Sequence, residues 1–160
     1  MAITFLNQTL CNICGNVLAE NEDIFSFPPF LQNTDDKLYK YNDSSFHSNC
    51  LLKSQSGLKA IQLTEKFLFE TRPENRICDI TKDVIRNYSN YFFIDILTSD
   101  EQQSLYKYNL TTLDVKNIKL WNHKDEFVSE ANIFKNKGLW KDIGTFKYLD
   151  SLIEIIVLNR

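Results

Sequence analysis

The chain has 160 residues, of which 43% are hydrophobic and 13% are aromatic. This composition is sufficient to form a buried core, and it excludes a disordered tail. The formal net charge is −3, from 18 Lys and Arg against 21 Asp and Glu. No dense basic run is present, which disfavours nucleic acid as a partner.

The two ends of the chain carry no targeting or membrane signal. The start, "MAITFLNQTLCNIC", has no basic region before its apolar residues, so no secretion signal is expected. The most apolar segment, "YLDSLIEIIVL", is too short to span a membrane and contains Asp150 and Glu154. We therefore expect a cytoplasmic protein without membrane association, in which close cysteine pairs bind metal and do not form disulfides.

Two pairs of metal-binding side chains lie in the N-terminal third. Cys11 and Cys14 belong to "CNICG", and His47 and Cys50 belong to "FHSNC". Three thiolates and one imidazole are donors that tetrahedral zinc prefers, and each pair supplies two corners from one local turn. The spacing predicts one zinc ion bound by these four residues. The other interpretation is unrelated thiols and a surface histidine.

The residues between the two pairs predict a β-hairpin. "IFSF" is followed by a Pro-Pro turn, an acidic turn and "LYKYN" at residues 38–42, which we interpret as the second strand. Alternation with period two would place Tyr39 and Tyr41 on one face of that strand. Their rings either pack inward on the metal site or form part of a protein-binding surface.

A helix is expected to carry the second ligand pair. Asp43, Ser44 and Ser45 are candidate N-caps for this helix. His47 and Cys50 are three residues apart, so they lie on the same face of its first turn.

This order of a CxxC turn, a hairpin and a ligand-bearing helix resembles a treble-clef zinc finger over about residues 9–54. The resemblance implies a small α+β unit that is folded by one metal ion. Because protein side chains fill all four ligand positions, the predicted zinc is structural and no position is open for a catalytic water.

A second copy of this pattern follows at an offset of 67 residues. "LYKYN" recurs at residues 105–109, "LCNICGNVL" aligns with "ICDITKDVI", and "DIFSF" aligns with "NYFFI". The apolar positions match without a gap, and a hydroxyl pair before the expected helix is retained as Thr111 and Thr112. The sequence therefore predicts two tandem treble-clef-like units.

The second copy has lost three of the four ligands. Cys14 is replaced by Thr81, His47 by Asp114 and Cys50 by Asn117, whereas Cys11 is matched by Cys78. We expect a unit without zinc, in which Cys78 is a buried free thiol. The alternative is that Cys78 and Asp114 hold a weak second metal ion.

Helices are predicted after each copy. They cover "SGLKAIQLTEKFLFE", then "NHKDEFVSEANIFKNKG" with Asn122 as its cap and Gly138 at its end, and finally "TFKYLDSLIEIIVL" with Phe146 on its apolar stripe. "RPEN" at residues 72–75 marks the junction. The expected fold class is α+β, with a zinc-binding unit at residues 1–71 and a zinc-free unit at residues 72–160 packed into one body.

Nothing in the sequence assembles a catalytic site. His123 is the only histidine outside the predicted zinc site, and we interpret it as a solvent-facing residue at a helix start. The expected function is that of a non-catalytic protein-binding module, of the type of a bacterial immunity protein that neutralises a toxin. The alternative is a nucleic-acid-binding zinc-finger regulator or phage-encoded factor. The sequence does not identify the binding surface.

Overall fold

A computed structural model describes residues 2–159 of the chain. These residues form a mixed α+β fold with two small antiparallel sheets, as expected. The strands are β1 (Ile24–Ser26), β2 (Ser45–His47), β3 (Tyr91–Phe93) and β4 (Thr112–Asp114), and the helices are α1 (Ser48–Leu52), α2 (Gln55–Glu70), α3 (Lys124–Asn136) and α4 (Tyr148–Leu158). Short 3₁₀ helices cover Tyr39–Tyr41, Pro73–Asn75, Tyr88–Asn90, Ser104–Tyr108 and Val115–Leu120.

The structural elements recur at the offset that the sequence shows. β1 pairs with β2 and β3 with β4 in the same register, which places Phe25 opposite Phe46 and Phe92 opposite Leu113. α2 and α3 also lie at equivalent positions, although the sequence had suggested only that each was a connecting helix. We call residues 9–70 the N-terminal copy and residues 76–137 the C-terminal copy.

Hydrogen bonds outside the sheets recur as well. The same isolated bridge joins Leu10 to Val17 and Ile77 to Val84. Asn42 Oδ1 accepts two backbone N–H bonds from the chain that follows β1, and Asn109 Oδ1 accepts the equivalent pair in the C-terminal copy. The bridge, the hairpin and the asparagine contacts therefore recur in both copies, whereas a 3₁₀ helix, Val115–Leu120, stands in the place of α1.

The prediction that residues 38–42 form a strand is wrong. They form a 3₁₀ turn in which Leu38 and Tyr41 are both buried, because residues three apart lie on the same side of such a turn. Tyr39 is only half-buried, so the two tyrosines do not share a face. The second strand of the hairpin is instead Ser45–His47, which follows this turn.

The predicted helix caps are also wrong. Ser45 lies in β2, where its hydroxyl pairs with that of Ser26 at 2.8 Å across the sheet. The N-cap position of α1 is taken by His47, and the N-cap position of α3 is taken by His123 instead of Asn122. Neither histidine side chain caps its helix by bonding a backbone N–H group, and Asp43 and Ser44 precede β2.

Two hydrophobic clusters form the core. The N-terminal cluster centres on Phe27, Tyr41 and Phe46, and the C-terminal cluster packs Trp121 and Phe127 against α4. Phe146 precedes α4 and is 57% exposed, so its predicted place on the final helix is wrong. Within residues 2–159, no helix has the length and apolarity needed to cross a membrane.

Buried polar contacts join the two copies. The Asp36 carboxylate accepts hydrogen bonds from the Ser99 amide at 2.7 Å, the Ser99 hydroxyl at 2.6 Å and the Thr98 hydroxyl at 3.3 Å. A parallel bridge joins Leu31 to Ile96, and both side chains are buried in the N-terminal cluster. Ser99 and Thr98 are almost fully buried, so these bonds fix how the copies are oriented.

At one position the two copies have different residues but the same backbone conformation. Gly15 has φ +76° and its counterpart Lys82 has φ +61°, which is a left-handed conformation that favours glycine. We expect Lys82→Gly to raise the free energy of unfolding by up to about 1 kcal/mol in urea denaturation. Lys82→Ala is the control, because it removes the exposed Asp79 pair but keeps the strain. If both variants change the free energy of unfolding by the same amount, backbone strain at this position is contradicted.

Candidate metal centre

The structure brings the four predicted ligands together. One donor atom each from Cys11, Cys14, His47 and Cys50 lies within 4.8 Å of the others. His47 Nδ1 is 3.4 Å from Cys14 Sγ and 3.9 Å from Cys50 Sγ. Tetrahedral zinc has metal–sulfur bonds of about 2.3 Å, which sets the sulfurs about 3.8 Å apart. The cluster is therefore close enough to hold one metal ion.

Two separate parts of the N-terminal copy supply these ligands. Cys11 and Cys14 lie in a tight turn that is closed by a 2.8 Å hydrogen bond from the Gly15 amide to the Cys11 carbonyl. The positive φ of Gly15 allows the chain to turn back behind the thiols. His47 ends β2, and Cys50 lies in the first turn of α1. The hairpin between them brings the two pairs to the same place.

Glu22 lies directly behind the histidine, and sequence reasoning missed it. Its Oε2 atom is 2.9 Å from His47 Nε2, and it also accepts a hydrogen bond from the Ala19 amide at 2.9 Å. A carboxylate on the outer ring nitrogen fixes the tautomer and the orientation of a ligating histidine. In this structure, the contact between Glu22 and His47 Nε2 leaves His47 Nδ1 directed at the thiols. No spacing rule marks a loop glutamate for this role.

The thiols and the imidazole perturb one another. Burial raises the pKa of Cys11, but backbone N–H groups such as that of Cys14 outweigh this effect and lower the pKa to about 6. Burial raises the pKa of Cys50 to about 11. Burial lowers the pKa of His47, but hydrogen bonds to Cys11 and Glu22 outweigh it and raise the pKa to about 9. A metal ion that binds here displaces the protons these groups hold.

The C-terminal copy does not form an equivalent cluster. Cys78 is buried and free, as predicted, and its sulfur accepts a hydrogen bond from the Asp114 amide at 3.4 Å. The Asp114 carboxylate caps the following 3₁₀ helix by accepting from the Lys116 amide at 2.9 Å. In the described part of the chain, no group of three candidate ligands surrounds Cys78.

His123 is exposed, as predicted. Its side chain is 60% exposed at the start of α3, and its Nδ1 atom lies 3.1 Å from Glu126 Oε2. It takes no part in the metal cluster.

No protein-family model, curated protein or solved structure matches this chain. Three thiols and an imidazole bind borderline and soft metal ions in preference to the hard cations that carboxylate oxygens bind.

Loss of one ligand distinguishes a metal site from simple packing. Cys50 is half-buried and Cys78 is 1% exposed, so packing alone predicts that Cys78→Ser is the more damaging substitution. We expect the reverse: Cys50→Ser costs about 4 kcal/mol or more through metal loss, and Cys78→Ser costs about 1–2 kcal/mol. Urea unfolding measures the difference. Native mass spectrometry should show one metal ion per wild-type chain and none in Cys50→Ser.

The carboxylate behind His47 should tune metal affinity. We expect Glu22→Gln to weaken metal binding about 10- to 100-fold, because the amide is a poorer acceptor for the ring N–H. Competition with a chromogenic chelator measures this affinity. Glu20→Gln is the control, since Glu20 is an exposed neighbour outside the cluster. Equal affinities for the two variants would remove Glu22 from the site.

Proposed function

We propose that the chain is a non-catalytic protein-binding module whose N-terminal copy is folded by one structural zinc ion. The observation that carries this proposal is the convergence of Cys11, Cys14, His47 and Cys50. Four protein donors complete a tetrahedron, and such closed sites stabilise folds. The donor set of three thiols and one imidazole favours zinc over magnesium or calcium.

The proposal extends to the architecture of the two copies. We interpret each copy as a treble-clef-like unit, the first with zinc and the second without. The matched strand registers and the matched Asn42 and Asn109 hydrogen bonds support a common origin for the two units. The proposed units are residues 1–71 and 72–160.

The proposal of a non-catalytic role rests on the side chains that general acid–base or nucleophilic chemistry would use. His123 is exposed and bonded to Glu126, and the Cys78 thiol is buried in the C-terminal copy. General acid–base and nucleophilic mechanisms place an activated group beside a positioned partner in a cleft. The Cys78 thiol is buried, and His123, although it lies beside Glu126, has no Ser, Thr or Cys side chain hydrogen-bonded to its ring in the described residues.

Exposed apolar pairs support a binding role. Leu10 and Val17 are 52% and 40% exposed, and their counterparts Ile77 and Val84 are 41% and 47% exposed. An apolar bridge pair that stays exposed in both copies does not serve the core, and it suits contact with another protein. Phe5, which is 62% exposed, lies near the first pair in the sequence.

A partner of basic character fits the net charge of −3. An inhibitor of the immunity type, which neutralises a toxin in the cytoplasm, is the form of this function that we propose. The four free thiols suit a reducing compartment.

The alternative is a nucleic-acid-binding regulator, and one surface feature favours it. The Arg76 guanidinium lies over the rings of Tyr88 and Tyr91, at 5.3 and 4.8 Å from their centroids. Tyr88 is 72% exposed, and exposed aromatic rings next to arginine can stack on unpaired bases.

A salt titration separates the two functions. We expect the zinc-loaded protein to bind mixed-sequence single-stranded and duplex nucleic acid no more tightly than about 100 μM at physiological salt. Affinity in the micromolar range or tighter, with a steep loss on adding salt, would contradict the protein-binding proposal.

A second experiment tests the protein partner directly. Calorimetry measures binding of this protein to the purified product of the adjacent gene, because the gene of an immunity protein is expected next to the gene of the toxin that it neutralises.

A further inference from the structure

Both copies expose an equivalent apolar pair beside the turn at their first cysteine. Leu10 is bridged to Val17 in the N-terminal copy, and Ile77 is bridged to Val84 in the C-terminal copy. All four side chains are exposed, so the two pairs do not cover each other within one chain.

The segments that carry these pairs have opposite charge. We call residues 5–23 the N-terminal face and residues 72–90, which align with them at the offset of 67, the C-terminal face. The N-terminal face contains three acidic residues and no Lys or Arg, so its formal charge is −3. The C-terminal face contains four basic and three acidic residues, so its formal charge is +1, and it holds three of the four arginines of the chain.

Each charged side chain of one face aligns with an uncharged side chain of the other. The acids of the N-terminal face align with amides and a hydroxyl: Glu20 with Asn87, Glu22 with Ser89 and Asp23 with Asn90. The arginines of the C-terminal face also align with uncharged residues: Arg72 with Phe5, Arg76 with Thr9 and Arg86 with Ala19. The two faces therefore share an apolar pair and differ in the sign of the charges around it.

The arginines of the C-terminal face have no acidic partner among the described residues. Lys82, the fourth basic residue, lies 3.6 Å from Asp79. Within residues 2–159, no carboxylate lies at ion-pair distance from Arg72, Arg76 or Arg86. Three positive charges on this face are thus available to an acidic surface from outside the chain.

Aromatic rings hold two of these arginines in place. The Arg72 guanidinium lies 5.8 Å from the centroid of the exposed Phe69 ring, and that of Arg76 lies 5.3 Å from the exposed Tyr88 ring. A guanidinium that stacks on a ring can still donate its N–H bonds to a carboxylate. Arginine and tyrosine are also enriched among the residues that contribute most to binding in protein interfaces.

The N-terminal face has acids that are available in the same way. Glu20 and Asp23 are exposed, and neither forms an ion pair among the described residues. Phe5 and Ile13 are also exposed on this face and enlarge its apolar area. An apolar surface with acidic neighbours complements an apolar surface with arginine neighbours.

We propose that the two faces bind each other between chains, so that the N-terminal face of one chain docks on the C-terminal face of a second copy. The apolar pairs cover one another, and the arginines of one face bind the acids of the other. Contact between two like faces would bring charges of the same sign together. The contact is therefore head-to-tail. This assembly goes beyond the proposed function, because it requires no toxin.

Sedimentation velocity of the full-length zinc-loaded chain tests this contact. A series from about 10 μM to about 1 mM covers weak specific complexes. A phosphine reductant prevents disulfides through the exposed Cys14. We expect the mean mass to rise with concentration above that of one chain. The association should weaken when NaCl is raised from about 0.1 M to 1 M, because the screening length falls from about 10 Å to about 3 Å.

Two substitutions at equivalent positions test the faces separately. Val17→Lys adds a positive charge to the N-terminal face, and Val84→Glu adds a negative charge to the C-terminal face. Each should weaken self-association about tenfold or more, because like charges then meet in the contact. An equimolar mixture of the two variants should associate again, since the first keeps an unchanged C-terminal face and the second an unchanged N-terminal face. Both variants keep a net negative charge, so general attraction does not explain such recovery.

Val157→Lys is the matched control. Val157 lies on α4 outside both faces and is 44% exposed, which is close to the 40% of Val17 and the 47% of Val84. We expect its self-association to equal that of the wild type.

A wild-type chain that stays monomeric over the whole series would overturn the proposal and leave the two faces to partners other than this chain. Loss of association in only one of Val17→Lys and Val84→Glu would also overturn it, because contact between like faces gives that result. A mixture that stays monomeric, or an equal loss in Val157→Lys, would likewise contradict head-to-tail contact. None of these results changes the salt titration or the calorimetry above, so self-association and the proposed function fail independently.

Discussion

The meeting of Cys11 and Cys14 with His47 and Cys50 is the constraint on which the N-terminal copy depends. The two pairs flank a hairpin whose strands are only three residues each, and so short a sheet is unstable by itself. A metal ion bound by these four side chains would join both ends of the hairpin. Glu22 supports this closure by orienting the histidine.

The C-terminal copy keeps the same backbone without that constraint, and its packing shows what replaces it. Asp114 stands where the N-terminal copy has the ligand His47, and it now caps a 3₁₀ helix. α4 has no counterpart in the N-terminal copy, and it packs with Trp121 and Trp140 in the C-terminal core. α4 thus adds apolar burial to the copy in which the described residues form no cluster of metal-binding side chains.

The two copies also differ around one buried tyrosine. Serines bond Tyr41 in the N-terminal copy, whereas the C-terminal copy has Trp121 and His123 at those positions, and the Tyr108 hydroxyl has no hydrogen-bond partner among the described residues. Contacts between the copies, such as those from Asp36 to Ser99, hold the two as one body. The candidate metal centre lies in the N-terminal copy alone among the described residues.

The sequence by itself determined the ligands and the repeat. Ligand type and close spacing are local properties, so the four donors could be identified without coordinates, and identical spacing over two copies revealed the duplication. The α+β class and the positions of α2, α3 and α4 followed from hydrophobic periodicity, within a few residues at their ends.

Only the tertiary structure decided the conformation of "LYKYN" and the role of Glu22. Five residues with apolar and aromatic side chains fit either a strand or a 3₁₀ turn. The joint burial of Leu38 and Tyr41 decides between them, together with the two backbone N–H bonds that Asn42 Oδ1 accepts from the chain after β1. Glu22 and His47, like Tyr108 and His123, meet through contacts between residues distant in sequence, which no local pattern encodes.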